Sequence, residues 1–199
     1  MSDHYYSNKP EVAHDRQTLE TELRGCKLKL TSDAGVFSKN GVDYGSRVLI
    51  GAMDLQGAKS VLDVGCGYGP IGIMAAKLLP DAVVTMIDIN ERAVELARHN
   101  AIQNQVSANT VIKQSDRLEA VREDKFDVIL TNPPIRAGKD VVHAIFEEAY
   151  EQLHDGGSLW IVIQKKQGAP SAKAKLESMF SVVEEVTKDK GYRIFKAKK

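Results

Sequence analysis

From Ser60 onward the chain alternates two kinds of segment, and this alternation restricts its fold more than any other feature. Short β-branched runs, "SVLDVGC", "VVTMIDI", "TVIKQSD", "FDVILTN" and "SLWIVIQ", are separated by longer, mostly amphipathic stretches. "GPIGIMAAKLLP" reads as a helix that stops before Pro80, and "NERAVELARHNAIQN" as a helix with Asn90 at its N-cap. "GKDVVHAIFEEAYEQLHDGG" reads as a helix closed by Gly156 and Gly157, and "SAKAKLESMF" as a short one. Strand, helix, strand repeated in this way predicts a mostly parallel sheet with helices on both faces. The ending differs. "FSVVEEVT" and "YRIFKAKK" are joined only by "KDKG", too short for the crossover that parallel neighbours need, so they predict an antiparallel hairpin. The expectation is a Rossmann-like α/β fold: a seven-stranded, mostly parallel sheet ending in an antiparallel hairpin.

Upstream, "KLKLTSDAGVFSKNGVDYGSRVLIGAMDL" reads as a short strand or hairpin, a loop and then a helix. It is expected to cover the sheet. The chain of 199 residues is then one domain, with a cover segment over 1–59 and a cofactor-binding and catalytic core over 60–199.

The five runs all finish on the carboxyl edge of the predicted sheet, where open α/β sheets bind ligands. "DVGCGYGPIG" follows the first strand and opens a helix, so Gly65, Cys66, Gly67 and Gly69 form a turn that lets backbone approach a ligand. "GYGPIG" also fits the dinucleotide fingerprint, which keeps a nicotinamide oxidoreductase in view. Asp88 and Ile89 end the second strand about 20 residues after the turn. There a carboxylate accepts from ribose hydroxyls, or caps the next helix. Asp63 lies inside the first strand, where an acid is costly unless paired. A carboxylate suits the amino-acid tail and sulfonium of S-adenosylmethionine better than the pyrophosphate of NAD. Ser115 and Asp116 close the third strand. Asp116 is either an acceptor for the adenine amine or a loop acid.

"TNPPI" closes the fourth strand. Asn132 brings an amide, and Pro133 and Pro134 fix the following backbone in an extended course. The Asn side-chain oxygen and a proline carbonyl make a rigid pair of acceptors, whose natural partner is an –NH₂ group. A conjugated amine is a poor nucleophile, and two acceptors favour the geometry in which its lone pair aims at an electrophilic methyl.

These motifs resemble class I methyltransferases that modify exocyclic amines: "VLDVGCGYGPIG", "DIN", "SD" and "NPPI". "GVFSKNGVDYGSRVLIGAM" and the spacing to "GYRIFKA" resemble a narrower group, the catalytic domain of the small-subunit ribosomal RNA guanine-N2 methyltransferases. The resemblance begins at about Lys27. It implies methyl transfer from S-adenosyl-L-methionine to guanine N2 in ribosomal RNA. It also implies a cofactor set of Asp63, Gly65, Cys66, Gly67, Gly69, Asp88, Ile89, Ser115 and Asp116, with Gly45 and Ser46 near the methionine tail. Asn132, Pro133, Pro134 and Ile135 would form the catalytic motif, and Phe37, Tyr44 and Arg136 would meet the substrate. The sequence departs from the family twice. Ile135 stands where Phe or Tyr is usual, which leaves Phe37 or Tyr44 to stack on the base. The bacterial enzymes also resemble two fused halves, of which this chain has the catalytic one, so a dimer or accessory partner would replace the other. Protein glutamine and DNA adenine methylation, and a non-catalytic assembly module, are the alternatives.

Charge sets limits on partners. Lys and Arg number 27, as do Asp and Glu, so any attraction to nucleic acid depends on segregated charge. "TKDKGYRIFKAKK" is basic, and reads either as a solvated terminal strand or as an RNA guide. No apolar run is long enough to cross a bilayer, and "MSDHYYSNKPEVAHDR" lacks a signal-peptide core. Cys26 and Cys66 make no disulfide framework, and His99, His143 and His154 lack metal-ligand spacing. A soluble cytoplasmic protein with reduced thiols and no metal is expected.

Overall fold

The computed structural model describes residues 5–199. An antiparallel hairpin, β1 (Gln17–Leu23) and β2 (Cys26–Ser32), comes first, followed by helix α1 (Tyr44–Ala52). The alternating region then runs β3 (Ser60–Val64), α2 (Pro70–Leu78), β4 (Val83–Asp88), α3 (Glu91–Gln103), β5 (Thr110–Gln114) and β6 (Phe126–Thr131). It continues through α4 (Lys139–Gln152), β7 (Leu153–Gln164), α5 (Ala169–Glu177), β8 (Val182–Asp189) and β9 (Tyr192–Lys198).

The main sheet has seven strands in the order β5-β4-β3-β6-β7-β9-β8. β5 through β7 are parallel, and β9 runs antiparallel to both β7 and β8. This is the mostly parallel, Rossmann-like sheet with a terminal hairpin that the sequence predicts. Neighbouring strand residues face opposite layers, as the pleat requires. Val61 and Met86 pack with Leu49 of α1, Ile73 of α2 and Leu96 of α3, while Leu62 and Ile129 pack with Phe146 of α4 and Leu176 of α5. Both faces of the central strands are thereby buried, which is why they read as continuous apolar runs.

Two features differ from the sequence reading. β1 was not foreseen, although "QTLETEL" and "CKLKLTS" alternate on either side of Arg24–Gly25, whose φ values of +48° and +76° make a tight hairpin turn. Gly156 and Gly157 do not cap α4. The helix ends at Gln152, and Leu153 already has extended backbone. The glycines fall in an irregular start to β7, where Gly156 N–H donates to the Lys199 carbonyl and Lys199 N–H to that of Gly157. Pairing with the chain terminus satisfies these backbone groups and displaces the cap.

The hairpin is stitched to α3 by two buried asparagines. Asn100 accepts from Thr31 N–H at 2.7 Å and donates to the Thr31 carbonyl at 2.9 Å. Asn104 repeats the pattern on Lys29, at 3.0 and 2.8 Å. Each primary amide thus substitutes for a neighbouring strand. Among the described residues no helix is long and apolar enough to cross a membrane.

Candidate active site

β3 and β4 lead outward in one direction along the sheet and β6 in the other, so the carboxyl ends of β3, β4 and β6 flank the point where strand order reverses. A cavity of about 400 Å³ opens there. The turn after β3 forms its floor. Gly65 and Gly67 take φ of +70° and +56°, a conformation that side chains disfavour. The N–H groups of Gly65 and Cys66 both donate to the Ile87 carbonyl, which ties the turn to β4. Gly72, one turn into α2, has a different reason for being glycine. A Cβ there would lie 2.2 Å from the Met86 sulfur, so only a bare backbone lets α2 settle on β4.

Asp88 stands at the cavity wall. Its Oδ2 accepts from Gly67 N–H at 2.8 Å and its Oδ1 from Asn90 N–H at 2.9 Å. Burial pushes its carboxyl up to about 6, against these backbone donors, which favour the charged form. Each oxygen keeps lone-pair capacity for a hydroxyl. The helix-capping alternative falls to Asn90, which accepts from Arg92 and Ala93 N–H. Asp116 and Ser115 also line the cavity, with Ile71, Ile87 and Ile89 as apolar wall. A cavity of this size, with an apolar wall and the carboxylates of Asp43, Asp88 and Asp116 in its lining, fits a nucleoside carrying a polar tail.

Asp63 does not line the cavity. It is fully buried, its Oδ2 accepts from Gly72 N–H at 2.9 Å, and its Oδ1 has no described partner. Burial, with the nearby Asp88 charge adding to it, raises its carboxyl to about 7. It fixes the start of α2 from beneath the turn. Gly69 caps α2 with a left-handed backbone and is likewise outside the lining.

On the opposite wall Asn132 leaves β6. Its Nδ2 donates to Asp43 Oδ2 and to Ser46 Oγ, both at 3.1 Å. Asp43 is the N-cap of α1, and its Oδ2 also accepts from Ser46 N–H at 3.0 Å. The two acceptors orient the Asn132 amide, so its oxygen is the free end, and no described residue donates to it. Pro133 and Pro134 line the cavity beside it. The Pro133 carbonyl accepts from Ile135 N–H at 2.9 Å, leaving a second lone pair, while the Pro134 carbonyl is taken by Ala137 N–H.

The remaining expected residues separate. Ser46 and Phe37 line the cavity. Gly45 packs against Tyr192, where a Cβ would meet the ring at 2.9 Å. Tyr44 points to the terminal hairpin, donating to Asp189, and is outside the cavity. Ile135 packs against the core under α4, and Arg136 is exposed at the rim. Cys66 lines the floor as a buried thiol whose pKa burial pushes well up, which disfavours a nucleophilic thiolate.

Sequence reasoning missed Asp43, Tyr5, Tyr6 and Tyr68, all of them lining residues. The Tyr5 and Phe37 rings lie 5.1 Å apart at the cavity, and Tyr5 and Tyr6 meet edge to face. The segment that brings them in is held by Asn90 Nδ2 on the Tyr5 carbonyl and by Arg92 on the carbonyls of Pro10 and Val12. "HYY" was the available signal, but the side chain that holds it, Asn90, lies 85 residues from Tyr5. Among the described residues no His, Cys, Asp or Glu cluster could hold a metal.

The family model for the methyltransferase small domain matches residues 27–196. An uncharacterised Bacillus subtilis protein, YbxB, is 56% identical, with all of both chains covered. Ribosomal RNA large subunit methyltransferase G of Pseudomonas syringae is 33% identical over 86% of this chain and 46% of its own. Ribosomal RNA small subunit methyltransferase C of Haemophilus influenzae is 34% identical over 84% of this chain and 51% of its own. The chain therefore spans about half the length of these two relatives. Among solved structures, a T. thermophilus 16S rRNA N2 methyltransferase in complex with AdoMet and guanosine superposes with a TM-score of 0.81 and 25% identity, covering 96% of this chain and 52% of that one.

Proposed function

From the premise that the chain belongs to the methyltransferase small-domain family, we propose that it transfers a methyl group from S-adenosyl-L-methionine to guanine N2 of small-subunit ribosomal RNA. The observation that carries this reading is the Asn132 amide. With its nitrogen held by Asp43 and Ser46, its oxygen can only accept, which suits an amine and not a hydroxylate or a carbanion.

Asp88 would receive the ribose hydroxyls, Asp116 the adenine amine, and the Gly65–Gly67 turn the amino-acid tail. The cofactor supplies a sulfonium-bound methyl, electrophilic without metal or acid assistance. The chain's own residues hold the nucleophile. The Asn132 oxygen and the Pro133 carbonyl take one N–H each, so the nitrogen lone pair is directed at the methyl carbon. As the N–C bond forms, positive charge grows on the nitrogen and both contacts strengthen, which lowers the barrier selectively. Transfer to the nitrogen held by Asn132 and Pro133 would leave the cofactor as a thioether, and one amine proton would pass to solvent. Tyr5 and Phe37, and not Tyr44 or Ile135, supply the rings for stacking on the base.

The relatives divide between small- and large-subunit RNA at similar identity, so large-subunit RNA is the second reading. Calorimetry with S-adenosylmethionine and with NAD comes first, then labelled methyl transfer to undermethylated small and large subunits offered separately. Heat with S-adenosylmethionine alone and label in small-subunit RNA support the proposal. Label only in the large subunit, in protein or in DNA moves the substrate elsewhere, and heat only with NAD removes methyl transfer.

A further inference from the structure

A net charge of zero hides a segregation that the strand register exposes. β7 runs toward the cavity edge of the sheet and pairs antiparallel with β9, Gln164 opposite Tyr192. The β8–β9 turn, with Lys188 and Lys190, therefore lies on the same edge as the cavity. Lys165 and Lys166 follow β7 directly in a short 3-10 turn, and Lys165 N–H donates to the Gly191 carbonyl at 2.8 Å. The Lys190 ammonium sits 4.9 Å from the Tyr44 ring centre. Tyr44 adjoins Asp43, which holds Asn132. A continuous chain of contacts thus runs from the amine acceptor to the lysines.

Lys165, Lys166 and Lys188 are exposed and form no ion pair with a described residue. Arg136 extends the same rim beyond Asn132 and is also exposed. Asp189, the acid within this stretch, is occupied by the Tyr44 hydroxyl. The opposite edge is mixed in sign: Asp54, Asp81 and Asp124 lie in the loops entering β3, β4 and β6, and Asp155 near the start of β7, with Lys59 and Lys125 among them.

The C-terminal lysines do not belong to this band. Lys198 pairs with Ser158, at the far end of β7, roughly 20 Å of strand away from Gln164. Lys199 donates to the carbonyls of Tyr150 and Leu153, and Lys196 lies over the Trp160 ring.

We propose that Lys165, Lys166, Lys188 and Lys190, with Arg136 at the cavity mouth, form a track for the phosphate backbone of the RNA strand that carries the target base. The inference rests on the RNA reading above. An unpaired cationic row leading to a concave site is the footprint of a polyanion, and phosphate contacts set register while the cavity reads the base.

The test uses the full chain and an unmodified 16S rRNA transcript, titrated at several salt concentrations. K165Q/K166Q/K188Q is compared with a charge-matched control on the opposite edge, K59Q/K125Q/K198Q. With one phosphate neutralised per lysine, the first triple should flatten the slope of log affinity against log salt by about two and weaken binding at least tenfold at low salt. The control should match wild type. KM for RNA should rise in the first triple with kcat held, and S-adenosylmethionine affinity by calorimetry should not move in either. Equal slopes in wild type and both triples, with RNA still bound and methylated, would overturn the track and leave the proposed activity standing. Absence of any RNA binding by wild type would overturn both.

Discussion

At the scale of single residues, the proposed chemistry turns on which end of Asn132 is free to meet a substrate. The oxygen is presented because Asp43 and Ser46 hold the nitrogen. Asn132→Ala should leave cofactor affinity nearly unchanged and lower the methylation rate on the order of a hundredfold. Asn132→Asp keeps an acceptor but sets a carboxylate 3.1 Å from the Asp43 carboxylate, so it should do no better than Ala near neutral pH. A single-turnover rate for Asp well above that for Ala would mean that the Asp43 contact is dispensable. Asp88 makes a second prediction. Burial pushes its carboxyl up to about 6, and in the proposed role the ionised form accepts from the ribose hydroxyls. Cofactor affinity should be level above about pH 7 and fall as pH drops through 6, by up to about tenfold per pH unit. The Asp88→Ala protein should lose that fall and bind about tenfold to a hundredfold more weakly at pH 7.5. Calorimetry across pH checks both.

At the scale of elements, contacts that join distant segments matter most. Asn100 satisfies both backbone groups of Thr31 and also donates to the Tyr68 carbonyl. Asn100→Ala would leave these buried groups without partners and should destabilise the fold by about 2–3 kcal/mol in denaturant titration. Gly72→Ala would drive a methyl into Met86 and should cost about 1–3 kcal/mol, with cofactor binding weakened as α2 shifts. The strands and helices of the core were legible because each carries its own period and its own stop signal, as Asn90 and Pro80 show. β1 was not, since "QTLETEL" becomes a strand only by pairing with β2, which itself lies on α3. Nor was the end of α4, where a local glycine signal lost to pairing with residue 199. In the site, "GCG", Asp88 and "NPP" were readable because sequence spacing alone puts them on one edge. The partnership of Asp43 with Asn132 spans 89 residues and has no local signature. The same holds for Tyr5, which reaches the cavity only because Asn90 and Arg92 hold its segment there.

At the scale of the whole molecule, one edge of the sheet gathers the glycine turn, Asn132, the Tyr5–Phe37 pair and the exposed lysines, while the far edge carries structural contacts and charges of both signs. Tyr5→Ala with Phe37→Ala should raise KM for RNA and leave cofactor affinity intact, because stacking on a base is worth roughly 1–3 kcal/mol per ring. The central claim concerns which atom receives the methyl. It is tested most directly by incubating the protein with deuterium-labelled S-adenosylmethionine and undermethylated ribosomal RNA, digesting the RNA to nucleosides and identifying the labelled product by mass spectrometry. Wild type should yield labelled N2-methylguanosine, and Asn132→Ala about a hundredfold less at saturating cofactor. Label on a ribose hydroxyl or a ring carbon, or equal labelling by the two proteins, would contradict that claim.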